Sequence, residues 1–338
     1  MISSVLSDSK LSFLIAAIDP TMVQACFQSH VSVWVGDNAK IAIYNIRVVR
    51  HKFGKRCLIE YDVEVNHAGT SEFMTWMGKV RAKGLDRTSY QLQCKLWQQG
   101  FEANSSDGIS VPEPIGTVPE WQMWLQRKVP GTIATVLLPN AEGHTLAHRI
   151  AAALCKLHRT QILPDRHHGI EQELAILHDR LDRVAQQFPQ WQRRLERILD
   201  ECDRTAGRIE SPHVCGIHRD FYPDQVLIND SRLYLLDFDL YTTGDPGLDA
   251  GNFNGHLIEQ GLRSFHDPAV LASQQTAFTE RFIHQSGAAV LDSVETYTTL
   301  TLVRHIYLST QFPDRQPFTE QLLELCEQRL LHPKFRYF

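Results

Sequence analysis

Between residues 40 and 82 apolar and polar side chains alternate with a period of two in three runs: KIAIYNIRVVR from Lys40, RCLIEYDVEV from Arg56 and EFMTWMGKVRA from Glu72. Alternation places every second side chain on one face of an extended chain. The runs therefore predict three strands of an antiparallel sheet, turning at HKFGK and NHAGT. A helix is predicted over 89–99, then a loop carrying SVPEPIG, then another strand in WQMWLQRKV. After Gly131 the period changes. In TLAHRIAAALCKLHR, from Thr145, the residues Leu146, Ile150, Leu154 and Leu157 recur every three to four positions, which is the stripe of an amphipathic helix. Polar-rich helices are predicted over 170–205, and others near 268–286 and 293–311. The strand signals in this half are VLI at 226–228 and LYLLDF at 233–238. The pattern divides the chain into a β-rich part, residues 1–130, with a hinge near 126–131, and a mainly helical part, residues 131–338, that holds one hairpin.

At 338 residues and 38.7 kDa the chain can bury two cores. A hydrophobic share of 43% and a charged share of 22% are those of a globular protein. The net charge of -5 and pI near 6.3 give no ground for nucleic acid as a partner. The apolar run FLIAAI at 13–18 is too short to span a bilayer and lacks a basic stretch before it, so no membrane partner and a cytoplasmic location are expected. Seven cysteines without a Cys-x-x-Cys fit a reducing compartment and argue against a disulfide framework or a zinc cluster.

The chemistry concentrates in HRDFYPDQVLINDSRLYLLDFD, residues 218–239. A tight turn at 229–231 would bring the two strand ends side by side, so that Asp220, Gln225 and Asp237 face one pocket. Magnesium prefers hard oxygen ligands and takes only one or two from protein when phosphates are present. Asp237 offers a carboxylate and Gln225 a carbonyl. Asp220 is then left to orient and deprotonate an attacking hydroxyl.

His218-Arg219-Asp220, an amide side chain at 225 and the Asp237-Phe238 pair resemble the catalytic and metal-binding loops of protein kinases. DFDLYTTGDPGLDAG, from Asp237, resembles still more the aminoglycoside phosphotransferase and choline kinase superfamily. The resemblance implies an α+β, bilobal protein-kinase-like fold, with a small antiparallel β-sheet N-lobe and a mainly helical C-lobe. It implies a phosphotransferase moving the γ-phosphoryl of ATP or GTP to a hydroxyl of a small molecule, with Mg2+ as cofactor. By the same resemblance Asp220 is the catalytic base, Gln225 and Asp237 are magnesium ligands, and Asp249 braces the catalytic loop. Lys79, in MGKVRA, matches the strand lysine that holds nucleotide phosphates. LQRKVPG matches the hinge and places Gln126 and Lys128 at the nucleotide, and AAALCKLHR matches the helix that follows. A small acceptor is favoured because the short spacer from Asp237 to Asp249 leaves no room for an activation segment.

The chain also departs from the superfamily pattern. Gln225 stands where Asn is usual, and Asp239 where protein kinases have Gly. The predicted helix at 89–99 holds no acid, so Glu72, Asp86 or Glu102 serves Lys79, or phosphates alone do. No glycine-rich phosphate loop is present; RHKFGKR joins the first two strands instead. Its Arg50, Lys52, Lys55 and Arg56 either bind nucleotide phosphates or form the solvated tip of a hairpin. His218 is expected to pack beneath the catalytic loop, and Arg219 to pair with a nearby acid. From 170 to 209 acids and arginines nearly balance. They could line a pocket for a cationic acceptor, but their spacing suits i, i+3 and i, i+4 pairs on solvated helix faces better. Two further activities stay open, a kinase for peptide Ser or Thr and a nucleotide-binding pseudokinase without turnover.

Overall fold

The first long helix starts at a cap. After the short α1, Leu14–Ile18, the Asp19 carboxylate accepts the Met22 N–H at 2.8 Å, and Pro20 fills a first-turn position where no N–H partner exists. In the resulting α2, Pro20–Trp34, Val23, Phe27 and Val31 recur every four residues and are buried as one stripe. A computed structural model shows this stripe and describes residues 7–209 and 214–331. The chain divides into two units, Met1–Pro130 and Gly131–Phe338.

In the first unit strands β1 (Lys40–Lys52), β2 (Arg56–His67) and β3 (Thr70–Arg81) precede helix α3 (Arg87–Leu96), and β4 (Pro114–Val118) and β5 (Met123–Arg127) follow it. They form one antiparallel sheet in the order β1-β2-β3-β5-β4. Along β2 the odd positions Cys57, Ile59, Tyr61, Val63 and Val65 are buried in a core with Phe27 and Trp76. The even positions, Glu60 and Asp62 among them, face the other way. The Phe27 and Tyr61 rings meet edge-on at 4.9 Å. The alternation placed these strands well, but β1 continues through Lys52, which narrows the turn to 53–55. Helix α3 stops at Leu96 because Gly100 adopts a left-handed conformation within the wider turn Trp97–Phe101.

The second unit begins with Gly131 at φ +138, where a Cβ would lie 2.6 Å from the Ile228 carbonyl oxygen, so a side chain is excluded. Its main helices and strands are α4 (Gly143–His158), α5 (Ile170–Gln187), α6 (Gln192–Ala206), β6 (Cys215–Ile217), β7 (Val226–Asn229), β8 (Arg232–Leu235), β9 (Thr242–Gly244), α7 (Pro246–Phe265), α8 (Ala272–Ser286), α9 (Leu291–Gln311) and α10 (Thr319–Leu331). Strands β7 and β8 are the hairpin seen in the sequence, with Asn229 opposite Arg232 and Asp230 left-handed at the turn. Strand β9 pairs with β6, Thr242 opposite Ile217. A core of Leu177, Leu181, Ile198, Leu302, Ile306 and Leu323 joins α5, α6, α9 and α10. Helices α7 and α9 cross closely: at Gly251 a Cβ would fall 2.6 Å from the Thr298 nitrogen. That approach holds in place the helix that carries Asp249. All seven cysteines are free. Among the described residues no helix is long and apolar enough to cross a membrane.

Candidate active site

Strand β6 delivers the chain into the loop 218–225, and hairpin β7–β8 returns it to Asp237. Asp249 sits in the first turn of α7, fully buried, and its carboxylate accepts the N–H of His218 at 2.7 Å and of Arg219 at 2.6 Å. His158 Nε2 lies 2.9 Å from the same carboxylate. Further along α7, Asn252 Nδ2 donates to the Phe221 carbonyl at 3.0 Å. His218 donates from Nε2 to the Leu236 carbonyl at 2.7 Å, while its ring packs against Phe221 and Phe238. It therefore ties the loop to the far strand of the hairpin, a packing role in keeping with its complete burial. Two non-glycine residues here, Arg219 at φ 69 and Asp237 at φ 55, are left-handed. Such conformations cost about 1–3 kcal/mol each and persist only where surrounding bonds enforce them.

The remaining polar groups stand in contrast to Asp249. Among the described residues none donates a hydrogen bond to the side chains of Asp220, Gln225 or Asp237. Burial raises the pKa of Asp220; electrostatic interaction with His218 and Arg304 opposes this, and the carboxylates of Asp237 and Asp249 add to it. The backbone of Gln225 is tied to the hairpin, since its carbonyl accepts the Leu236 N–H at 2.9 Å. Asp237 and Gln225 thus present two hard oxygen donors that the protein itself leaves unused, a donor set that fits Mg2+ and not a softer metal.

In the first unit Lys79 stands on the sheet face away from α1 and α2, opposite Leu58 and Trp124, with Nζ 4.7 Å from the centre of the Trp124 ring. Of the acids considered for it, Glu72 pairs with Arg127, while Asp86 pairs with Arg81 at 3.1 Å and caps α3 through Ser89. Gln126 is buried. Lys128 has an internal partner, Glu60, at 2.6 Å, whose carboxylate also takes Arg47 at 3.0 Å. The basic turn is clamped from beneath: Asp8 accepts the Gly54 N–H at 2.7 Å and lies 2.8 Å from His51 Nε2. Arg50, Lys52 and Lys55 are exposed on it. The pKa of Lys52 is lowered by the charges of Arg56 and Arg50 beside it, then by partial burial and Lys55. One grouping that spacing did not announce lies in this unit, where Cys26, His30 and Glu120 bring ligand atoms within 4.8 Å of one another.

Within the second unit a cavity of about 360 Å3 opens beside Asp220 and Tyr222. Arg180, Arg219, Arg304 and Arg315 reach it from different elements. Sequence reasoning missed this set apart from Arg219, because the arginines lie far apart in the chain and resemble ordinary surface charge. Arg219 departs from expectation: among the described residues no carboxylate lies within pairing distance of its guanidinium, which lines the cavity instead. Of the acids in the 170–209 segment, Glu173 alone lines the cavity, and it is held by His168 at 2.6 Å and Arg304 at 3.3 Å. Surface pairs within the segment, such as Arg183–Asp179 at 2.9 Å and Arg204–Glu201, account for others.

A model of the APH phosphotransferase enzyme family matches residues 88–285, more than half of the chain. No curated protein sequence matches it. Among solved structures, the chain is similar to a choline/ethanolamine kinase family protein from Mesorhizobium loti, with a TM-score of 0.61 at 13% identity, covering 94% of this chain and 98% of the other. It is similar to choline kinase from Cryptosporidium parvum Iowa II, with a TM-score of 0.59 at 12% identity over 92% and 95%. A thermostable mutant of the aminoglycoside phosphotransferase APH(4)-Ia, in ternary complex with AMP-PNP and hygromycin B, gives 0.57 at 13% identity over 92% and 98%. At such identities the likeness shows the fold, which is the protein-kinase-like α+β fold. With the sequence match across residues 88–285, the chain belongs to the phosphotransferase enzyme family.

Proposed function

We propose that this chain is a Mg2+-dependent phosphotransferase that moves the γ-phosphoryl group of ATP or GTP to a hydroxyl of a small molecule. One observation carries the reading: Asp249 is saturated by backbone N–H donors, while Asp220 and Asp237 are left without protein donors and act on one another electrostatically. A chain bears the cost of such uncompensated acids where a substrate hydroxyl or a cation completes them. Asp220 orients the acceptor hydroxyl and takes its proton as the acceptor oxygen bonds to Pγ and the bond from Pγ to the bridging oxygen breaks. The nucleoside diphosphate leaves, and the proton passes to solvent. A raised pKa brings Asp220 nearer the operating pH and makes it the stronger base. Asp237 and Gln225 would hold Mg2+, which supplies neutralising charge at the phosphates when bound. Lys79 is assigned to the phosphates by its match to the family lysine, and Arg50, Lys52 and Lys55 are additional phosphate candidates. Gln126 takes a place beside the nucleotide, whereas the Glu60 pairing directs Lys128 toward support of the sheet.

The test is release of nucleoside diphosphate, with a phosphomonoester formed in equal amount, from the purified chain given Mg-ATP and a panel of hydroxyl compounds. Chelation of Mg2+ should stop it. Nucleotide bound with thermal stabilisation, yet never consumed with any acceptor, would favour a pseudokinase. Consumption with Ser or Thr peptides alone would favour a peptide kinase.

A further inference from the structure

We infer that the acceptor is an oxyanion: a small hydroxyl compound bearing a carboxylate or a phosphate group, gripped by the arginines of the cavity beside Asp220. The inference rests on the phosphotransferase reading above and names its substrate class. The cavity is lined by five arginines, Arg180, Arg219, Arg263, Arg304 and Arg315, against four acids, Glu173, Asp220, Asp224 and Glu259.

The acids are already committed. Glu259 takes Arg263 at 2.8 Å and has Arg315 at 3.9 Å. Glu173 takes His168 and Arg304, and Asp224 accepts the Thr135 hydroxyl. Asp220 is reserved for the hydroxyl proton. Among the arginines, Arg263 and Arg304 are matched by those carboxylates, and Arg315 only at the limit of pairing. Arg180 lies over the Tyr307 ring at 5.6 Å, and among the described residues neither it nor Arg219 has a carboxylate within pairing distance.

An ammonium group entering this space would lose its water and find guanidinium groups instead of a spare carboxylate, which is repulsive at short range. A carboxylate or phosphate would find planar forks of donors that can bind it through two parallel bonds. Burial, and in Arg180 the charge of Arg304 next, lowers the pKa of both Arg180 and Arg219, as expected for guanidinium groups that lack an anion. Tyr222, stacked on His256 at 4.5 Å, supplies an uncharged wall that the carbon skeleton of a small acceptor can lie against. The volume of about 360 Å3 suits a metabolite-sized molecule.

The experiment measures ADP release from Mg-ATP at constant ionic strength with four acceptor classes: hydroxy-carboxylates, sugar monophosphates, neutral polyols, and cationic amino alcohols with aminoglycosides. Turnover is expected with one or both anionic classes, and comparing those two arms identifies the group held. Arg180→Gln should raise the acceptor KM by about tenfold or more, the effect of losing a charge-assisted hydrogen bond, while the nucleotide KM stays within about twofold. Faster turnover of choline, an aminoglycoside or a neutral polyol than of either anion overturns the inference and leaves the phosphotransferase reading intact. Mg-ATP neither bound nor consumed removes that reading and the inference with it. If Mg-ATP binds but no acceptor is consumed, calorimetric titration with malonate and with inorganic phosphate decides. Saturable binding lost in folded Arg180→Gln supports the site, and binding that is absent or unchanged by the substitution overturns it.

Discussion

The loop 218–225 with its partner Asp249, and the basic turn 50–56, are both short charged segments at hairpins, yet they are built in opposite ways. At the loop, Asp249 is fully buried and saturated with N–H donors, Arg219 and Asp220 are half-buried, and the Asp220 carboxylate receives no hydrogen bond from the described residues. In the turn the backbone is clamped by Asp8, while Arg50, Lys52 and Lys55 project into solvent. Buried charge interacts strongly and depends on geometry, whereas exposed charge is screened and adaptable. Substitutions in the loop should accordingly have large and distinct effects, and those in the turn small and salt-dependent ones.

The largest effect is expected at Asp220. Asp220→Asn should lower kcat by roughly 10²-fold to 10⁴-fold while leaving nucleotide affinity nearly intact; retention of more than half the wild-type rate would remove Asp220 from the mechanism. The same substitution should raise the melting temperature at neutral pH. Because the folded-state pKa of Asp220 is raised, the group adds stability at low pH and loses it as pH rises through that pKa. Asparagine is neutral throughout, so its advantage should vanish as pH falls through the raised pKa. Thermal denaturation of both proteins across the acidic range checks the sign, and a gain that grows on acidification would contradict it.

Next comes Asp249. Asp249→Ala strands the buried N–H groups of His218 and Arg219, at a cost of about 1–3 kcal/mol for each donor left unsatisfied. Chemical denaturation should show that loss, and kcat should fall with it because the loop is no longer fixed. Asp249→Asn keeps one acceptor and should fall between. Equal stability of the alanine variant and the wild type would show that the bracing bonds contribute nothing.

Asp237→Ala should act on binding and not on folding, since its carboxylate receives no hydrogen bond from the described residues. Loss of a carboxylate ligand should weaken Mg-nucleotide binding by about tenfold or more. Calorimetry finding an unchanged affinity would displace Asp237 from the metal site.

The smallest effect belongs to the turn. Replacing Arg50, Lys52 and Lys55 together with alanine should change the nucleotide KM by less than about threefold, and the change should shrink as salt is added. A larger, salt-resistant effect would make the turn a phosphate site and bring the two regions closer in kind than their exposure suggests.

Much of the fold was legible in the chain because its signals are local. Alternation marked β1, β2 and β3, and a tight turn at 229–231 marked the β7–β8 hairpin, whose strands in the structure leave only 230–231 between them. The order of His218, Arg219, Asp220, Gln225 and Asp237 along one hairpin was enough to expect them at one site. Other parts were not legible. The helices α1 and α2, which cover one face of the first sheet, lie outside the alternating runs. The pairing of Lys128 with Glu60 was not legible either, because it reaches across β3, which lies between β2 and β5.

The sequence by itself determined which residue types stand at which spacing, and so the strands, the hairpin, the clustering of polar residues over 218–239 and the kinase-like class. Those features rest on backbone geometry and neighbours a few positions apart. The tertiary structure alone decided which acids are satisfied and which are open, and which arginines face the cavity. Arg180, Arg263, Arg304 and Arg315 come from α5, α7, α9 and the segment after it, and their partners, or lack of them, are set by helix packing. Charge balance along the chain had favoured solvated pairs across 170–209. Packing turned Glu173 and Arg180 inward, because a charge's energy depends on the groups within a few ångströms of it in space and not on its neighbours in sequence.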